Sequence, residues 1–127
     1  MLKIDSETKQ ISINRGDVGV ISVSAKNKDE TNYEFLKGDI VRFKVFKARD
    51  CGCVEIQKDV EATEGSTYVE IFLTKEDTKI GGLINKPVNY WYEVELNPDT
   101  NPQTIIGYDE KGEKKFKLYP EGGDRQW

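Results

Sequence analysis

Cys51 and Cys53 are the residues with the richest chemistry in this chain, and they stand in "DCGC". A disulfide closing over one intervening residue is strained. Two thiolates with no third or fourth soft ligand make a poor zinc site, and the chain has two cysteines and no histidine. A metal shared at an oligomer axis is the alternative. The reading adopted is a pair of reduced cysteines in a turn leading into the strand "CVEIQ". No cofactor and no bound metal is expected. The absence of histidine also excludes Ser-His-Asp and Cys-His catalysis.

Acidic pairs are the next candidates. Glu93 and Glu95, or Glu76 and Asp77, have the composition of a glycosidase site. Residues i and i+2 of a strand share a face at about 7 Å. A catalytic pair, however, faces across a cleft with one carboxyl desolvated, and a wet sheet face provides neither condition. Asp99, Asp109 and Glu110 lie in loop sequence suited to calcium, without the regular acid spacing of an EF-hand. The chain is therefore expected not to be an enzyme.

The aromatic run "NYWYE" points instead to binding. In a strand, Tyr90 and Tyr92 share a face with Val94 and Leu96, the pattern of a core. Trp91 falls on the other face with Asn89, Glu93 and Glu95. A tryptophan among polar groups stacks on a sugar ring or anchors a protein interface, unless a loop or helix covers it. Asn89, Trp91 and Glu93, with the C-terminal Trp127, form the candidate interaction surface. Arg15-Gly16-Asp17 spells an adhesion tripeptide, but it sits where a strand must begin, in "INRGDVGVISV". It is read as a turn, and Lys37-Gly38-Asp39 repeats it before "IVRFKVFK". In both, glycine supplies a positive φ and the aspartate bonds the turn backbone.

These residues need a scaffold, and the pattern supplies strands. The chain has 127 residues, 33% charged and 36% hydrophobic, enough for one domain with its own core. Its net charge is -4, with 19 basic and 23 acidic residues interleaved, so no nucleic-acid footprint is present. No apolar run approaches the ~20 residues of a membrane span, and "MLKIDSETKQ" lacks a signal-peptide pattern. Synthesis in the cytoplasm is expected.

Period-2 alternation marks "QISINR", "VGVISVSAK", "IVRFKVFK", "CVEIQKDV", "TYVEIFL", "VNYWYEVEL", "QTIIGY" and "KKFKLY". Seven to nine such strands, each with one dry face, predict a two-sheet sandwich. "LTKEDTKIGGL" breaks the period. Thr74 as N-cap, Asp77 three residues on and the Gly81-Gly82 stop predict a short helix over about 75–80, crossing between the sheets. Residues 1–120 are read as one β-sandwich domain and 121–127, "EGGDRQW", as a tail.

The order of these features carries a resemblance. "INRGDVGVISVSAKN", then "YEFLKGDIVRFKV", "TKEDTKIGGL", "VNYWYEVEL", "PQTIIGY" and "KFKLYPEG" follow one another from about Ile11 to Tyr119. This series resembles the small β-sandwich proteins of phage and prophage tails of Gram-positive bacteria. It is similar to the N-terminal domain of upper baseplate proteins of the BppU type. The chain departs from the commoner pattern in having "NKPVNYWYE" where many relatives place a glycine, and in lacking a long C-terminal extension. The second departure favours a self-contained structural or accessory part over direct host binding. The resemblance implies an all-β, antiparallel, immunoglobulin-like sandwich with one short crossover helix. It implies a non-enzymatic tail or baseplate protein whose partners are tail proteins or further copies of itself, in a homo-oligomer. A carbohydrate-binding module using the Trp91 face is the alternative.

Overall fold

The computed structural model describes residues 2–5, 8–47, 53–81, 84–109 and 112–120. Among these the chain forms nine strands and no helix: β1 (Lys3–Ile4), β2 (Ile11–Asn14), β3 (Gly19–Val23), β4 (Ile40–Phe46), β5 (Val54–Glu61), β6 (Val69–Leu73), β7 (Val88–Leu96), β8 (Gln103–Ile106) and β9 (Lys114–Tyr119). The architecture is all-β and sandwich-like. A large sheet has the order β1-β2-β9-β7-β4-β5, with β8 on β7, and a small sheet pairs β3 with β6.

Alternation explains which side of each strand turns inward. Val41, Phe43 and Val45 of β4, Tyr90, Tyr92, Val94 and Leu96 of β7, and Phe116 and Leu118 of β9 are buried. From the small sheet, Ile21, Val23, Val69, Ile71 and Leu73 join the same core. Phe43 packs against Tyr92 and Phe116, with ring centroids 5.7 and 6.4 Å apart. The Tyr92 hydroxyl donates to the Lys9 carbonyl, which satisfies the polar end of a buried ring.

The large sheet is mixed and not wholly antiparallel, because β2 runs parallel to β9, from Ile11 opposite Phe116 to Asn14 opposite Tyr119. The Gly16 turn sends the chain from β2 to β3 in the other sheet, so β2 and β3 cannot form a hairpin. The long path back to β9 then serves as the crossover that a parallel pair requires.

The expected crossover helix is a single capped turn. The capping pair does form: the Thr74 N–H donates to Asp77 Oδ2 at 2.8 Å, and the Asp77 N–H to Thr74 Oγ1 at 3.2 Å. The Thr78 N–H reaches the Thr74 carbonyl at 3.3 Å, but the Lys79 N–H bonds Glu76, three residues back. Thr78 is buried, and its hydroxyl accepts from the Gly16 N–H at 3.0 Å and donates to the Asp17 carbonyl at 2.8 Å. That anchor and the buried Ile80 hold the turn to the β2–β3 corner, and Gly81 leaves it with φ of 70°. One turn does not repay the nucleation cost of a helix without further turns to propagate it.

Candidate interaction surfaces

The two Gly-Asp turns position the ends of the strands. Gly16 and Gly38 have φ of 87° and 90°, a region closed to most side chains. At the first turn, Arg15 is buried, its N–H donating to the Tyr119 carbonyl at 2.9 Å. The adhesion tripeptide is thus folded into the corner held by Thr78. At the second turn, Asp39 is buried and accepts from the Leu36 N–H at 2.9 Å, the Tyr33 hydroxyl at 2.7 Å and Asn97 Nδ2 at 3.0 Å. Asn97 in turn accepts from the Ile40 N–H at 2.9 Å and adopts a left-handed φ of 48°. Burial raises the Asp39 carboxyl, but the bonds from Asn97, Leu36 and Tyr33 outweigh it and hold it below its ordinary value. The Tyr33 phenol, donating to that carboxylate, is pushed up.

On the outer face of the large sheet, β7 presents Asn89, Trp91, Glu93 and Glu95 between β4 and β9. Asn89 is exposed opposite Lys117. Trp91 is half-buried between Phe46 on one side and Lys115 on the other. Its indole N–H is buried and makes no hydrogen bond among the described residues. Glu93 lies opposite Lys44, whose ammonium is 3.7 Å from Glu93 and 3.3 Å from Glu95. Trp127 lies outside the described residues. An open depression beside Trp91 is lined by Lys44, Phe46, Tyr108, Glu113 and Lys114. Further along, Arg42 donates from Nε and Nη2 to the two carboxylate oxygens of Asp59 at 2.8 and 2.9 Å, and reaches Asp99 at 3.0 Å. The bonds from Arg42 lower the Asp59 carboxyl, and the two carboxylates raise the guanidinium. The acidic pair Glu93 and Glu95 is thus a counterion set for Lys44.

The outer face of the small sheet was not among the candidates, and it is apolar. Val20 on β3 pairs directly with Phe72 on β6. Val18 is 68% exposed, Phe72 60%, Tyr68 53% and Val20 43%. Val18, Val20 and Phe72 line a shallow, largely apolar hollow that Thr74, Lys75 and Glu76 border at one end. The signal was present in the sequence: "VGVISV" and "TYVEIFL" carry apolar residues in both phases of the alternation. A strand with one wet face should not.

Cys53 is disulfide-bonded, against the expectation of reduced thiols; Cys51 lies outside the described residues. No family model matches the chain, and no curated protein or solved structure does either.

Proposed function

We propose that this chain is a structural or accessory protein of a phage or prophage tail or baseplate, acting by protein–protein assembly and not by catalysis. One observation carries the assembly reading: the outward row of Val18, Val20, Tyr68 and Phe72 on a two-stranded sheet. Large contiguous apolar patches mark interaction sites. The tail setting rests on the ordered series of turns and strands from Ile11 to Tyr119. The order β9-β7-β4-β5 facing β3-β6 supports an immunoglobulin-like arrangement within the sandwich.

Affinity capture from a lysate of the induced source strain tests this reading. Recovery of identified tail or baseplate proteins, lost in Phe72→Ser, is expected. A monomer that captures none of them would sink it. The carbohydrate reading keeps one supporting observation, the depression that sets Trp91, Phe46 and Tyr108 beside Lys44 and Glu113. It predicts glycan-dependent quenching of tryptophan fluorescence that Trp91→Ala abolishes. A glycan array without hits removes it.

A further inference from the structure

We infer that the outer face of the β3–β6 sheet is a self-association surface, on which a second copy of this chain docks face to face about a two-fold axis. The inference rests on the assembly reading and names its partner.

Three observations favour another copy as the occupant. First, the patch is self-complementary in shape. β6 contributes projecting aromatics, Tyr68 and Phe72, while β3 contributes the shorter side chains of Val18 and Val20, so the outer face steps down from β6 to β3. A two-fold axis brings the same patch of each copy against the other. Rotation about an axis near the Val20–Phe72 pair therefore lays the phenyl ring of each copy over β3 of the other.

Second, the patch is almost free of charge. From Val18 to Ala25 no residue is charged, and between Tyr68 and Thr74 the one charge is Glu70. Glu70 lies beside Ser22, on one side of Phe72, and Lys75 follows on the other. A rotation that lays β6 of each copy over β3 of the other keeps the two ends in place, so Glu70 of each copy meets the uncharged Ser22 of the other. Like charges are not brought face to face.

Third, the area suits the centre of an interface. Two valines and two aromatics exposed to this degree offer roughly 400 Å² of side-chain surface per copy. A standard interface takes about 800 Å² from each partner, its apolar centre ringed by polar residues. Ser22, Ser24, Thr74, Lys75 and Glu76 surround the patch and are exposed.

The test is sedimentation velocity and light scattering on the purified full chain over a wide concentration range. A dimer in rapid exchange with monomer is expected. Phe72→Ser should raise the dissociation constant at least about 100-fold, and Val20→Lys should act in the same direction. Both variants should keep the wild-type circular dichroism, because both positions are exposed. Trp91→Ala, on the other sheet, should leave the dimer as tight as wild type. A wild-type monomer at the highest soluble concentration overturns the inference, as does a dimer that Phe72→Ser leaves intact. The assembly reading is judged separately, by capture of identified tail proteins. A monomeric chain that binds such proteins through Phe72 overturns self-association and leaves the assembly reading standing.

Discussion

On the outer face of the large sheet, Lys44 has Glu93 and Glu95 within 3.7 Å, and Arg42 holds Asp59 and Asp99. On the outer face of the small sheet, Val20 lies beside Phe72, and both are exposed. On the first face the charges pair across neighbouring strands. The second face has no internal way to hide its apolar groups, and two strands leave both edges of that sheet open among the described residues. The edges differ in the same sense. β5, at one side of the large sheet, alternates charge along its length with Glu55, Lys58, Asp59 and Glu61, which discourages pairing by another strand. β3 carries no charge. A surface paired within its own sheet is finished, and one that is apolar on both strands is built to be covered.

The sharpest test lies within β6, where adjacent residues face opposite ways. Ile71→Ala, at a fully buried position, should cost about 3 kcal/mol in urea unfolding. Phe72→Ser should cost less than about 0.5 kcal/mol in dilute chain. Equal losses would mean that the outer face of the small sheet is already packed, and the contrast would collapse.

Next in size is the clasp where β4 begins. Asp39→Ala removes the acceptor of three hydrogen bonds and should destabilise by about 2 kcal/mol. Because the folded state holds this carboxyl below its ordinary value, its contribution is present at neutral pH and is lost as pH falls below about 4. Urea midpoints measured from neutral pH into that range should converge for wild type and Asp39→Asn.

Smaller still is Arg42→Met on the outer face of the large sheet. The unfolding midpoint should shift slightly at low salt, and less once salt screens the pair with the exposed Asp99. A large loss that salt does not change would show that this face is structural and not merely solvated. The smallest effect is expected from Trp91→Ala. It should leave association unchanged, and a change would move the docking surface to the large sheet.

Much of this was legible in the sequence. The inward rows Val41-Phe43-Val45, Val69-Ile71-Leu73 and Tyr90-Tyr92-Val94-Leu96 follow from alternation alone and are buried. Both Gly-Asp turns have the left-handed glycine that their position required. The misses share a cause. The Thr74–Asp77 capping pair is local and formed as read, but the fate of the following turn was decided by Thr78 bonding Gly16 and Asp17, some sixty residues away. The parallel β2–β9 pair is likewise set by topology, which period-2 patterning does not encode. Alternation in "CVEIQKDV" puts Val54 on the same row as the buried Ile56, yet Val54 is exposed, at the point where the register shifts between Val45 and Phe46. The Val18, Val20 and Phe72 row stands in the sequence only as apolar residues in the outward phase of two short strands, a weaker signal than a tryptophan in the longest strand.

The parallel run of β2 beside β9 has a mechanical consequence. Their four paired residues run in the same direction, Ile11 to Asn14 along Phe116 to Tyr119. Tension entering before β2 and leaving after β9 draws the two strands oppositely along their own lengths. The hydrogen bonds between them are then loaded together in shear, rather than opened one at a time as in peeling. A part joined to its neighbours through those two ends would resist pulling with the whole seam at once.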